Sequence, residues 1–216
     1  MIRVLLVDDD PLVRSALGLM IGGQDDIRVV AEASDGREGV LLAREHRPDV
    51  VLMDIRMPVL NGLDATRELH AQLDPPRVIV LTTFDADDHV TGAIAAGADG
   101  FVLKDTPPAE IVAAIRAVAD GDPMLSPSAT ASLIRQVRAD GGLDRGESAR
   151  SRTGALTERE RQVAVAVGRG LSNAQIAAEL HVSVPTVKAH VSRLFDKLGA
   201  TNRVQIAICV HDAGLL

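Results

Sequence analysis

The chain has almost nothing from which to build a covalent framework or an aromatic surface. Its 216 residues include one cysteine, Cys209, no tryptophan, no tyrosine, and only Phe84, Phe101 and Phe195 among phenylalanines. A lone thiol closes no internal disulfide, which points to a reducing compartment. Without aromatic platforms, holding single-stranded nucleic acid by base stacking is excluded as a main mode. No apolar run is long enough to span a bilayer, and the short run after Met1 meets Asp8, Asp9 and Asp10 too soon for a signal peptide. The expectation is a cytoplasmic protein with no membrane contact. A glycine-rich turn is missing too: Asp8-Asp9-Asp10-Pro11 stands where a dinucleotide-binding fold would place its glycines. Lysine is scarce, since of 23 basic residues only Lys104, Lys188 and Lys197 are lysines. A compact, movable charge was therefore written at three places in a chain that otherwise uses arginine.

What is present suffices for packed cores, at 46% hydrophobic residues, and the length suits two small domains. The net charge of −7 is unevenly shared. Residues 1–120 hold 11 Lys+Arg against 21 Asp+Glu, net −10, whereas residues 155–216 hold 7 against 5, net +2. An acidic front and a mildly basic rear fit two modules, the second suited to a polyanion.

Apolar runs at Val4–Val7, Ile27–Ala31, Val50–Met53, Val78–Leu81 and Phe101–Leu103 alternate with helical patterns. The helix starts are readable: Asp10 before Pro11, Asp35 with Glu38, Asn61 with Asp64, Asp85 with Asp88, and Thr106 before Pro107. Such alternation predicts right-handed crossovers and a parallel sheet covered by helices on both sides. Residues 1–120 are expected to form this α/β domain. Residues 121–154 read as a linker, with a short helix at 127–138 after Ser126 and a flexible stretch from Asp140 to Gly154, rich in Gly, Ser, Arg and Asp. Residues 155–216 read as all helical. Thr157 with Glu160 and Ser172 with Gln175 form capping-box patterns, and Ser183 is placed to cap a third helix. Two helices joined across His181-Val182-Ser183 have helix-turn-helix spacing.

Chemistry-bearing residues gather at the carboxyl ends of the expected strands. Asp8 and Asp9 follow the first, Asp54 ends the third, Thr82 and Thr83 follow the fourth, and Lys104 follows the fifth. In an open parallel sheet those ends face the ligand crevice. Alone, Asp54 reads equally well as a cap or strand terminator. Three converging carboxylates, however, want a cation, and an all-oxygen set suits Mg²⁺. With a lysine and a threonine hydroxyl alongside, the set describes phosphoryl transfer onto a carboxylate, Asp54 being the expected nucleophile.

Asp8-Asp9, Asp54 followed by Met57-Pro58, Thr82, and Gly97 through Lys104 together resemble the receiver domain of bacterial two-component response regulators. The resemblance implies a flavodoxin-like fold, five parallel strands in order 2-1-3-4-5. It further implies Mg²⁺ bound by Asp9, Asp54 and the backbone carbonyl of Arg56 with Asp8 helping, phosphate arriving from the histidine of a sensor kinase, and Phe101 as the switch aromatic beside Thr82 and Lys104. In the second part, Leu156 to Glu160, Leu171 to Ala177, Val184 to Val191 and Lys197-Leu198-Gly199 resemble the LuxR-type helix-turn-helix. The whole chain is thus similar to a NarL/FixJ-type response regulator, whose DNA-binding domain of four helices dimerises, commonly through its last helix, and binds double-stranded DNA.

Within the third of those helices Val187, Val191, Leu194 and Leu198 recur at helical spacing and form an apolar stripe. Lys188, Ala189 and Ser192 should then face outward as base readers and Arg193 as a phosphate contact. The expectation is a transcription regulator, homodimeric on activation, that catalyses no reaction beyond its own phosphoryl transfer and dephosphorylation. The rival is a Mg²⁺-dependent phosphohydrolase built on the same Asp54.

Overall fold

The computed structural model describes residues 1–82, 87–122, 124–125 and 143–216. The chain divides into two compact units, Met1–Ser132 and Leu133–Leu216. Among the described residues no helix is long and apolar enough to cross a membrane.

The first unit alternates strand and helix throughout. Strands β1 (Ile2–Val7), β2 (Ile27–Ala33), β3 (Val50–Asp54), β4 (Arg77–Thr82) and β5 (Gly100–Leu103) contain the five apolar runs. All pair in parallel, in the expected order 2-1-3-4-5, and a two-residue strand β6 (Met124–Leu125) continues the sheet beyond β5. That sixth strand falls in the stretch read as linker. It is too short to carry a periodic signal.

Between the strands run α1 (Pro11–Gly22), α2 (Gly36–His46), α3 (Gly62–His70), α4 (Asp87–Ala96) and α5 (Pro108–Ala119). Three expected caps are in place: Asp10 accepts from Leu12 N, Asp35 from Arg37 N and Glu38 N, and Asn61 from Asp64 N. The fourth, Asp85, and Thr83 lie outside the described residues, as does the helix expected at 127–138. Thr106 does not cap α5. Pro108 takes the first helical position, where its missing N–H costs nothing, so Pro107 becomes the N-cap residue and has no side-chain oxygen to offer.

Alternation along the strands splits the core into two layers. Val4, Leu6, Val50, Leu52, Ile79, Leu81 and Val102 pack with Leu17 and Ile21 of α1 and with Ile111, Ile115 and Val118 of α5. The residues between them, among them Leu5, Val51, Met53, Val80 and Phe101, are equally buried. Strands covered on both faces read as continuous apolar runs, and each such run stops where the carboxyl edge begins.

The second unit is helical: α6 (Leu143–Gly154), α7 (Glu158–Gly168), α8 (Asn173–Glu179), α9 (Val184–Leu198) and α10 (Arg203–Asp212). Both capping boxes form, and Ser183 accepts from Thr186 N. The four expected helices are joined by one that composition concealed. Residues 143–154, read as part of a flexible stretch, form α6, whose Ala149 is buried with Val163, Leu198, Ile206 and Cys209. Arg152 donates from NH1 to the Leu198 carbonyl at 2.8 Å, and Arg161 of α7 donates to the Thr153 carbonyl at 3.4 Å, so tertiary contacts rather than an apolar face hold this helix.

Candidate functional site

Four strand ends bring the expected polar residues together. Asp8 follows β1, Asp54 closes β3, Thr82 closes β4, and Lys104 follows β5 with its N–H donating to Thr82 O at 2.8 Å. One carboxylate oxygen from each of Asp8, Asp9 and Asp54 lies within 4.8 Å of the others. Asp8 and Asp54 are buried, at 1% and 5% exposure, and Asp9 is exposed. The Lys104 ammonium bridges the two buried acids, 2.7 Å from Asp8 Oδ2 and 3.1 Å from Asp54 Oδ1.

The electrostatics follow from that geometry. Burial disfavours the charged form of Asp54 and raises its pKa, helped by the Asp8 charge and opposed by the Lys104 ammonium. Burial alone would lower the Lys104 pKa, but hydrogen bonds and charge from Asp8 and Asp54 outweigh it and the pKa is raised. Lys104 therefore stays cationic. One ammonium against three carboxylates leaves the cluster short of positive charge. Asp8 Oδ2 is buried, with the Lys104 ammonium 2.7 Å away as its polar neighbour. Clustered hard oxygens and excess negative charge fit a divalent cation of the Mg²⁺ kind.

Two residues that the sequence reading passed over shape this site. Gly62 opens α3 where a Cβ would lie 1.9 Å from the Asp54 carbonyl oxygen, so only glycine allows the loop after β3 to return so closely. Arg14 on α1 donates from NH1 to the Asp8 carbonyl at 2.6 Å and has its Nε 3.5 Å from Glu32 on β2. Within the loop, Arg56 is exposed, and Val59 takes φ 64° with its side chain 81% exposed, a strained place for a β-branched residue. Phe101 is wholly buried on β5, opposite Val80.

In the second unit the stripe lies where periodicity put it: Val187, Val191, Leu194 and Leu198 are buried. Lys188, Ala189, Ser192 and Arg193 are exposed on the other side of α9. The helix is braced from behind. Lys197 Nζ lies 2.8 Å from Glu160 Oε2, which also accepts from Thr157 N and Oγ1. Those bonds hold the Glu160 carboxyl at a pKa of about 2. Arg203, buried on α10, donates to Asn173 Oδ1 at 2.7 Å and so ties the last helix to the start of α8. Neither brace was read from the sequence.

The family model for the response regulator receiver domain matches residues 4–116, and that for the bacterial regulatory proteins of the luxR family matches residues 154–210. The chain belongs to the NarL/LiaR-type response regulators. This regulator is 40% identical over 211 residues to the transcriptional regulatory protein LiaR of Bacillus subtilis (strain 168), covering 98% of this chain and 97% of that protein. It is 35% identical over 208 residues to the nitrate/nitrite response regulator protein NarL of Escherichia coli (strain K12), covering 96% and 94%. Among solved structures, the response regulator ChrA of a heme-sensing two-component system matches with a TM-score of 0.54 at 36% identity, covering 100% of this chain and 98% of that one. Homology thus gives the regulator a receiver domain followed by a LuxR-type DNA-binding domain. The relatives are named as a transcriptional regulatory protein and a response regulator.

Proposed function

We propose that this regulator takes a phosphoryl group on Asp54 from the histidine of a sensor kinase and in response dimerises and binds double-stranded DNA. The observation that carries the reading is the Asp8, Asp9 and Asp54 cluster with Lys104 bridging its two buried members. An Asp54 carboxylate oxygen attacks phosphorus, the phosphorus–nitrogen bond of the donor breaks, and the imidazole nitrogen recovers its electron pair and takes a proton. Asp8, Asp9, Asp54 and the Arg56 carbonyl would hold Mg²⁺, which would supply positive charge to neutralise phosphoryl oxygens. Lys104, held cationic by its acidic neighbours, swings its ammonium from Asp54 onto the phosphate, and Thr82 donates its hydroxyl to another oxygen. Phe101, buried on β5, carries the switch. The receiver also sheds its phosphate unaided, by attack of water on phosphorus.

The response is read out on α9, where Lys188, Ala189 and Ser192 face base edges in the major groove and Arg193 a phosphate. With a net charge of +2 on residues 155–216, one copy makes few phosphate contacts, so useful affinity requires two copies on half-sites about one helical turn or a multiple apart. The testing experiment compares wild type with Asp54→Asn. Both are incubated with a small phosphodonor and Mg²⁺, weighed by mass spectrometry, and titrated on one DNA duplex at fixed salt. Wild type gains one phosphate and binds more tightly, and Asp54→Asn does neither. A mutant that gains phosphate as readily as wild type would place the acceptor elsewhere.

A further inference from the structure

Among the three acids at the carboxyl edge, Asp9 is the least constrained. Asp8 is buried, with its Oδ1 accepting from Asp10 N at 3.0 Å, and Asp54 is buried against Lys104. Asp9 is exposed, and its side chain makes no hydrogen bond or ion pair among the described residues. Its position is therefore set by the main chain alone, through the plane of the Asp8–Asp9 peptide. That peptide's oxygen is held by one side chain: Arg14 NH1 donates to Asp8 O at 2.6 Å. Because the peptide unit is rigid, fixing its oxygen fixes the amide and Cα of Asp9 as well.

Arg14 is itself well anchored. It lies one turn into α1, its own N–H donating to Asp10 O at 3.1 Å, and its side chain is 18% exposed. From there the guanidinium reaches back beneath the turn and sideways to Glu32 on β2. The Glu32 pair, at 3.5 Å with the carboxylate 48% exposed, is a weak surface contact. The bond to the Asp8 carbonyl is short, charge-assisted and largely shielded from water. Arginine suits this place because its rigid planar guanidinium offers separate donors, NH1 towards the Asp8 carbonyl and Nε towards Glu32, in a fixed geometry.

We infer that Arg14 is a positioning residue for the cation site: through the Asp8 carbonyl it holds Asp9 in the orientation that completes the acidic cluster. The inference rests on the proposed Mg²⁺-assisted phosphorylation of Asp54. Removing a group that orients a ligand without touching the metal typically weakens metal affinity by about 10- to 100-fold.

The test uses the full-length chain. Mg²⁺ binding is measured by calorimetric titration of wild type, Arg14→Met, Arg14→Lys and Glu32→Gln, each checked for folding by thermal unfolding. Phosphorylation of Asp54 by a small phosphodonor is then followed at limiting and at saturating Mg²⁺. Arg14→Met should bind Mg²⁺ roughly 10- to 100-fold more weakly. It should recover most of its phosphorylation rate when Mg²⁺ is saturating. Arg14→Lys should fall between, and Glu32→Gln should stay close to wild type. A merely structural Arg14 would lower the unfolding midpoint and leave the Mg²⁺ requirement of the folded protein unchanged, which overturns the inference. So does an Arg14→Lys variant that is as weak as Arg14→Met despite wild-type stability. Should wild type itself bind no Mg²⁺, or take no phosphate on Asp54, the reading of the whole site fails, and that outcome is distinct from a failure of Arg14 alone.

Discussion

Gly62→Ala is the smallest change that should disturb both the fold and the chemistry of the receiver. The new methyl carbon would lie 1.9 Å from Asp54 O, 2.8 Å from Asp54 C and 3.1 Å from Ile55 Cα. All three are main-chain atoms, so no side chain can swing away. To reach ordinary contact the start of α3 and the end of β3 must part by more than about 1 Å. That movement breaks the bond from Gly62 N to Ile55 O, now 2.9 Å, and leaves a buried donor unpaired at a cost of about 1–3 kcal/mol. It also loosens the Asn61 cap on Asp64 N, about 1 kcal/mol more. Roughly 2–4 kcal/mol in a domain of this size corresponds to a fall in unfolding midpoint on the order of 10 °C. Asp54 moves with its own carbonyl, and a misplacement near 1 Å at a reacting group costs on the order of 10²-fold in rate. Far-ultraviolet circular dichroism gives the midpoint in a protein without tryptophan or tyrosine, and mass spectrometry against time gives phosphorylation at saturating Mg²⁺. A variant with the wild-type midpoint and rate would refute the argument from close approach.

Lys104→Ala should still accept phosphate on Asp54, more slowly, while phospho-dependent dimerisation measured by light scattering is lost; unchanged dimerisation would remove Lys104 from the switch. Glu160 has its carboxyl held at about pH 2, below the ordinary carboxylate value, so its contribution to stability is complete above about pH 4.5 and disappears as the pH falls through about 2. The difference in unfolding midpoint between wild type and Glu160→Gln should accordingly shrink across that window, and a difference constant down to pH 2 would contradict the Lys197 pairing. On DNA, Arg193→Ala should reduce the salt dependence of log affinity by about one unit of slope without altering sequence preference, whereas Lys188→Ala should cost about 1–3 kcal/mol and relax preference at one base pair. Equal effects of the two substitutions on all sequences would show that α9 does not read bases.

Legibility tracked whether a feature was local. The strands were readable because all but the edge strand β2 are buried on both faces and stop at a polar residue, so Val50–Met53 running into Asp54 announced both the core and the crevice. Caps were readable where a side-chain oxygen sits one residue before the first turn, as at Asp35, Thr157 and Ser172. Thr106 misled because two prolines follow it and the second, not the first, begins the helix. α6 was invisible to pattern: it buries Ala149 and leans on Arg152 and Thr153, with no apolar stripe to betray it. Gly62 and Arg14 matter through where the loop after β3 and the turn after β1 pass in space. Nothing in the spacing of either residue states that path. The acidic cluster itself was legible because sheet topology alone delivers four strand ends to one edge.

Helix α6 also bears on where the DNA-binding half begins as a physical object. The luxR-family match starts at residue 154, yet the cushion under α9 is laid earlier, by Ala149 in the apolar centre and by Arg152 on the last carbonyl of α9. A fragment cut at residue 155 would keep every residue proposed to face DNA and lose the plug behind them. Its α9 would end on an unclaimed carbonyl, and Leu198 and Cys209 would line an open notch. Weak DNA binding by such a fragment would measure the cut rather than the regulation, so an honest autonomous unit has to start upstream of α6.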